Sequence, residues 1–284
     1  MQTTKILWNL HSHCRAECSY CPVQFWGGPE PRHIQDYMNV LTRIVEHFNS
    51  LDRMIEWTFD GGEPLEMHDF PQMLKYCKEN NGKITLNSNG GRIWLDWWAV
   101  EPNIDHLNLT YHYWQKESLI KYILDIFVKK SKSINVMVPI RPDFFDWDIE
   151  RCLKIEQQYG IVVGKNQLYK DSSQVRGLYD YTDEQLRIMR GEELVEENIK
   201  HKETTYAERN EQIVQESPVY LGKLCNTGIE RLYITHDGWV SGSACNNTHL
   251  GNIWDNSFQL RTSPTVCKML ACTNNDDQQI TKFV

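Results

Sequence analysis

Residues 11–22, His-Ser-His-Cys-Arg-Ala-Glu-Cys-Ser-Tyr-Cys-Pro, constrain this chain more than any other stretch. Cys14, Cys18 and Cys21 stand four and three positions apart on a short polar loop, so three thiolates can meet at one inorganic centre without long-range folding. Three thiolates are one fewer than the four Cys that normally hold a four-iron four-sulfur cluster. A cluster held this way keeps one iron open, and an open position distinguishes a reactive metal site from a closed structural one. Three free thiols, or a share in a zinc site, are the alternatives at this point.

The rest of the chain supplies context. Nine Cys, an odd number grouped toward the two ends, do not read as an extracellular disulfide framework, and in a reducing compartment such groups more often ligate metals. The 284 residues have no apolar run near the length of about eighteen that suggests a membrane span. Residues 1–10 are too short and mixed for a signal peptide, so the expectation is a cytoplasmic protein away from membranes. A net charge of −8 argues against non-specific binding to nucleic acid, which needs a positive field.

Strand and helix patterns alternate along the first two thirds. Strands are expected at 5–9, 54–59, 83–87, 106–110, 134–140 and 164–169, with 161–163 as another start for the last. Helices are expected at about 36–49, 70–79, 117–130 and 148–159, where apolar residues recur at three and four positions. Repeated βα units imply a parallel sheet with its site at the C-terminal strand ends. Gly61-Gly62-Glu63-Pro64, Ser88-Asn89, Thr110 with His112, and Arg141 all fall at such ends.

Residues 180–217 shift to charged, helix-forming composition and read as a linker or a helix packed on one face. Cys225 follows, then an alternating run on both sides of Asp237-Gly238, a pair suited to a hairpin turn, with Cys245 at its far end. Cys267 and Cys272 complete a second set of four, enough to saturate one iron-sulfur cluster or one zinc.

The CxxxCxxC loop with Tyr20 before its last Cys, together with Gly61-Gly62-Glu63-Pro64, resembles the radical S-adenosylmethionine (SAM) superfamily. Cys225, the hairpin to Cys245 and the closing pair Cys267 and Cys272 resemble the Twitch module, the short relative of SPASM. The resemblance implies an α/β fold: a partial (β/α)6 barrel over 1–179, a charged helical linker over 180–219, and a small β-hairpin/α Twitch domain over 220–284. Cys14, Cys18 and Cys21 would hold a [4Fe-4S] cluster with SAM on the open iron. Cys225, Cys245, Cys267 and Cys272 would hold an auxiliary [4Fe-4S] cluster. Tyr20, Gly61, Gly62, Glu63, Pro64, Ser88, Asn89, Thr110, His112 and Arg141 would contact SAM.

The implied activity is reductive cleavage of SAM to a 5′-deoxyadenosyl radical that takes hydrogen from a substrate carbon. A saturated auxiliary cluster suits an electron relay, hence an oxidative outcome such as dehydrogenation or cross-linking. Redox-neutral epimerisation, nucleoside or nucleic-acid modification, and a non-catalytic iron-sulfur or zinc protein are the alternatives. The implied partners are a small-molecule or peptide substrate and an external electron donor such as flavodoxin or ferredoxin. The Cys loop starts at residue 14, so no leader-recognition domain is expected ahead of it. His11 and His13 fit a supporting role, and Cys77 and Cys152 fit helix packing. Trp94, Trp97 and Trp98 fit packing or the lining of a cavity.

Overall fold

The structure, a computed structural model, describes residues 2–16, 18–21, 28–91, 97–170, 177–192, 219–245, 249–255, 257–272 and 274–283. In chain order the elements are β1 (Gln2–Asn9), α1 (Ile34–Ser50), β2 (Arg53–Asp60), α2 (Phe70–Glu79), β3 (Lys83–Ser88) and α3 (Trp97–Val100). Next come β4 (His106–Thr110), α4 (Glu117–Lys129), β5 (Ser133–Pro139), α5 (Phe145–Tyr159), β6 (Val163–Asn166) and α6 (Asp183–Arg190). Last are β7 (Leu224–Cys225), β8 (Arg231–Ile234), β9 (Trp239–Ser241), β10 (His249–Asn252), β11 (Thr265–Val266), α7 (Asn275–Gln278) and β12 (Lys282–Phe283). The expected strands and helices are present, with ends shifted by a few residues. The far side of the linker, 193–218, and Trp94 lie outside the described residues. Among the described residues, no helix is long and apolar enough to cross a membrane.

The chain forms two compact units, neither continuous in sequence. The first comprises Asn9–Ile34 and Thr58–Val195. In it, β3, β4, β5 and β6 pair in parallel, with Leu86 opposite Leu107, Leu109 opposite Val136, and Val136 opposite Val163. One face of these strands is apolar because every second residue is, and Ile84, Leu86, Leu107, Leu109, Val136 and Val138 are buried. Helices α2, α4 and α5 contribute their own apolar stripes to this core, among them Phe70, Met73 and Leu74, Ile120, Ile123 and Phe127, and Ile155. Each such side chain fully buried contributes roughly 1.5–3 kcal/mol. Cys77 and Cys152 lie in this core, and buried Trp97 meets Phe127 edge-on at 6.0 Å. Trp98 is half-exposed, with the Lys130 ammonium 4.7 Å above its ring.

The second unit comprises Met1–Trp8, Gln35–Trp57 and Glu196–Val284. Here β1 pairs in parallel with β8, and β8, β9 and β10 continue antiparallel. Helix α1 buries Tyr37, Val40, Leu41, Ile44, Val45 and Phe48, and Tyr37 contacts Trp8 and Trp254 at 6.0 and 5.2 Å. The hairpin at Asp237-Gly238 is present: Gly238 has φ +90°, and a Cβ there would lie 2.2 Å from Trp254. Cys225 does not join the hairpin's sheet. Its strand β7 is the middle of a separate three-stranded sheet, between β11 and β12.

Candidate active site

The loop carrying Cys14 is fixed by backbone docking. The Leu10 amide donates to Asp60 O, Gly62 N donates to His11 O at 2.7 Å, and Glu63 N donates to His13 O at 3.0 Å. Such an approach leaves no room for side chains. A Cβ on Gly61, whose φ is +139°, would lie 2.7 Å from His11 O, and a Cβ on Gly62 would lie 2.0 Å from His13 O. The two glycines are therefore required by contact with the Cys loop itself, whatever ligand they also admit.

Glu63 is turned inward. Its Oε1 accepts from Ser88 Oγ at 2.7 Å and Leu65 N at 3.0 Å, and its Oε2 accepts from Asn89 N at 2.7 Å. Complete burial pushes this carboxyl up to about 7, against those hydrogen bonds, which lower it. Pro64, also buried, opens a short 3-10 turn that leads to Glu66. Glu66 Oε1 accepts from Arg15 N at 3.2 Å, and its Oε2 lies 3.1 Å from His13 Nε2 without hydrogen-bond geometry. On its other side, His13 Nδ1 donates to Gly28 O at 2.9 Å. His11 is buried, and burial, then the His13 charge, lowers its pKa to about 4.

The three thiols are half-buried and form no disulfide. Cys21 N donates to Cys18 O at 2.9 Å, which closes the turn. Burial pushes Cys14 up to about 12, with Glu63, Glu66 and Cys18 adding to it, and pushes Cys21 up to about 11, with Cys18 adding. Thiols that oppose one another's ionisation in this way suit an electropositive centre that binds thiolates, so the donor set fits an iron-sulfur cluster. Among the described residues, no three His, Cys, Asp or Glu side chains are arranged as ligands of one metal ion. In a four-iron cluster each thiolate binds its own iron.

Residues from the ends of β3 and β4 meet the same loop. Asn89 Nδ2 lies 4.0 Å from Cys14 Sγ, and His112 Nδ1 lies 3.8 Å from Cys18 Sγ. Tyr20 Oη and His112 Nδ1 share a hydrogen bond at 2.7 Å, their rings stack at 6.0 Å, and Trp114 stacks on His112 at 5.4 Å. Burial, then the Arg151 charge, lowers His112 to about 4, so its imidazole is neutral. Gln115 accepts from His112 N at 2.6 Å and donates to Asn89 O, while Arg151 donates to His112 O at 2.9 Å.

The geometry thus brings Cys14, Cys18, Tyr20, Glu63, Ser88, Asn89 and His112 together. Ser88 is spent on Glu63 and Gly90, so Asn89 is the member of that pair that reaches the sulfurs. Arg141 stands apart: its Nε and Nη2 grip Asp148 at 3.0 and 2.9 Å, and its guanidinium packs 4.4 Å from the Tyr113 and Phe144 rings. The fork expected for a ligand's carboxylate is thus engaged by one from this chain. Thr110, half-buried at the end of β4, is in register with Met137. Glu66, Gln115, Asp148 and Arg151 were not singled out from sequence. Only their positions just after the polar strand ends could have pointed to them.

In the second unit, the four remaining thiols share one neighbourhood. Cys225 lies opposite Thr265 and Lys282, and Cys267 N donates to Lys223 O at 2.7 Å. Cys225, Cys267 and Ile280 form a small core with Tyr220 and Met269. Buried Asp277 accepts from Ala244 N at 3.1 Å and Cys245 N at 2.8 Å. Burial raises the pKa values of Cys225 and Cys272. Lys282 opposes this by charge at both and by a side-chain hydrogen bond at Cys272, whereas Cys267 and Cys272 add to the rise at Cys225, and Cys245 adds to it at Cys272. Four unpaired thiols that feel one another fit a closed cluster or a zinc ion as a donor set.

No family model and no curated relative matches the sequence. Among solved structures, anSMEcpe with bound AdoMet matches with a TM-score of 0.51 at 15% identity, over 90% of this chain and 79% of that one. SuiB from Streptococcus suis bound to S-adenosylmethionine matches with a TM-score of 0.49 at 12% identity, over 90% of this chain and 64% of SuiB. BtrN in complex with AdoMet and 2-DOIA matches with a TM-score of 0.45 at 14% identity, over 91% of this chain and 85% of BtrN. The chain has the fold of radical SAM enzymes, the partial α/β barrel expected from its motifs.

Proposed function

We propose that this chain is a radical SAM enzyme that oxidises its substrate. The observation that carries this reading is the docking of Gly61 and Gly62 onto His11 and His13, which fixes the three-Cys loop beside Asn89 and His112. When bound, the cluster and SAM supply a 5′-deoxyadenosyl radical that removes hydrogen from a substrate carbon. Cys14, Cys18 and Cys21 hold the cluster and leave one iron for SAM. The Gly61-Gly62 backbone lines the SAM amino group, Asn89 offers its amide, and Tyr20 presents its ring to the adenine. Glu63 and Ser88 act from behind, holding the ends of β2 and β3 in place, and His112 fixes the Tyr20 ring. Thr110 and Arg141 border the same strand ends, with the Arg141 fork engaged by Asp148.

Cys225, Cys245, Cys267 and Cys272 form the Twitch module's site, holding a second four-iron cluster with no vacant iron. Held there, such a cluster would supply an acceptor for one electron from the substrate radical, the chemistry that dehydrogenation or cross-linking needs. An external donor such as flavodoxin or ferredoxin supplies the first electron. In chain order the module follows the barrel and the charged linker.

The test is iron and sulfide per chain after anaerobic reconstitution, with 5′-deoxyadenosine formation under dithionite. About eight irons are expected, falling to about four in Cys225→Ala/Cys245→Ala. Formation of 5′-deoxyadenosine should vanish in Cys18→Ala; unchanged formation there would sink the reading. About four irons in both proteins would remove the second cluster and with it the oxidative outcome.

A further inference from the structure

Parallel sheets in α/β folds usually have both faces packed, and their strands read as nearly continuous apolar runs. Strands β3 to β6 do not. Their helix-covered face is apolar apart from Ser88 and Lys165, whereas the paired positions of the opposite face contain no Asp, Glu, Lys or Arg, and only Met137 and Pro139 among apolar types. Lys83, at the start of β3, is the one charged strand residue on that face. A merely solvated face would carry charged residues, and a packed one would carry Val, Ile or Leu. This face carries amides, hydroxyls and an imidazole.

These groups are organised. Asn87, Asn108 and Asn135 stand in register across three strands. Asn135 Nδ2 donates to Asn108 Oδ1 at 3.1 Å, Asn108 Nδ2 donates to Asn87 Oδ1 at 2.8 Å, and Asn87 Nδ2 donates to Asp60 Oδ2 at 3.0 Å. Asp60 Oδ1 accepts from Gly61 N at 2.8 Å, so the ladder ends at the glycine that docks the Cys loop. His106 adds Nε2 to Asn108 Oδ1 at 2.9 Å, with Ser133 on its other nitrogen at 2.7 Å. A chain of amides that all donate in one direction toward a carboxylate is polarised. Each amide nitrogen has two N–H groups, and in Asn87 and Asn108 the ladder uses one.

We propose that this face binds the substrate, and that the substrate is a neutral polyhydroxylated small molecule, a cyclic polyol or a carbohydrate. The inference rests on the radical SAM reading and names the substrate class of that same site. Adjacent amides recur at the strand spacing of about 4.8 Å, close to the separation of hydroxyls two or three carbons apart on a small ring. Hydroxyls both donate and accept, as the ladder does. An anionic substrate would find no opposite charge among the paired positions, and burying it unpaired is costly; the one carboxylate of the ladder, Asp60, is already engaged by Asn87 Nδ2 and Gly61 N. A peptide is typically recognised through a free strand edge or side-chain pockets, which an amide-lined sheet face does not provide. Nucleic acid would need Lys or Arg.

The experiment is saturation-transfer NMR on the reconstituted full chain with myo-inositol, methyl β-glucoside and acetyl-alanyl-glycine amide, with SAM binding measured on the same samples by equilibrium dialysis. Transfer to the protons of either polyol is expected, with Kd at least tenfold weaker in Asn108→Leu. Asn135→Ala, at an exposed position, repeats the test should Asn108→Leu fail to fold. SAM bound with no polyol transfer, transfer unchanged in a folded variant, or transfer to the peptide alone would overturn the proposal. Loss of SAM binding with polyol transfer intact would instead sink the radical reading and support the polyol site.

Discussion

The two cysteine groups are built by different means. Cys14, Cys18 and Cys21 lie on one loop whose position is set by backbone hydrogen bonds through Gly61 and Gly62. Cys225, Cys245, Cys267 and Cys272 come from separate segments: backbone pairing holds Cys225 and Cys267, and side chains complete the set, with Asp277 binding the Cys245 amide and Lys282 lying against Cys272. A site docked by backbone cannot tolerate an added atom at the seam. A site completed by side chains is broken instead by removing one.

The largest effect should follow from adding one carbon to the first site. In Gly62→Ala the new methyl would meet His13 O at 2.0 Å, with backbone on both sides and nothing flexible to yield. A cost of about 3 kcal/mol or more is expected, read as a lower melting temperature and loss of the first cluster's iron. Gly222→Ala, in the second unit, is the contrast: φ is +82° with nothing within 4 Å, so only the left-handed backbone cost of about 1 kcal/mol applies. Equal effects in the two variants would remove the distinction.

Next comes the carboxyl behind the first loop. Glu63 binds its proton more tightly in the folded chain than in the unfolded one, because burial raises its pKa from 4.5 to about 7. Its stabilising share is therefore complete below the unfolded value of 4.5 and lost as pH rises through 7. The drop across that window is on the order of 3 kcal/mol. Glu63→Gln should flatten this part of the stability profile, measured by urea melts from pH 4 to 8; an unchanged slope would show that Glu63 does not cause it.

In the second site, Asp277→Ala leaves the Ala244 and Cys245 amides without their partner, at a cost of about 2 kcal/mol. Iron should fall by about one cluster's four, with the first cluster's electron paramagnetic resonance signal intact. Loss of both signals would mean that the whole chain, not the one site, depends on Asp277.

The same asymmetry explains what the sequence makes legible. The Cys loop and the glycines that dock on it are contiguous motifs, and alternating strand and helix periods gave the partial barrel. Contacts made across long separations were not legible. Cys225 was legible as one of a second set of four Cys, but the pairing of its strand with Lys282 and Thr265 is indicated by no local pattern. Arg141 looked like a ligand's carboxylate partner because Asp148, one turn into α5, could not be known to face it. The Asn ladder did leave a trace, an amide at the same depth in three successive strands, visible only once the register is known.

The smallest effect sharpens the comparison furthest. Lys282 Nζ donates to Asp277 O and Ile280 O at 2.6 and 2.7 Å and lies 4.8 Å from the Tyr220 ring centroid, so its charge is held beside Cys225 and Cys272. A fixed cation and an N–H aimed at a thiolate both favour the more negative, reduced state of a cluster. Lys282→Gln should therefore lower the potential of the second cluster. A tenfold change in its reduced-to-oxidised ratio at fixed applied potential corresponds to 59 mV for one electron. Redox titration of a chain lacking Cys14, Cys18 and Cys21 isolates that cluster, and Lys282→Arg should restore most of the shift. Iron content unchanged with the potential also unchanged would mean that the ammonium serves only to tie the strand end to Asp277.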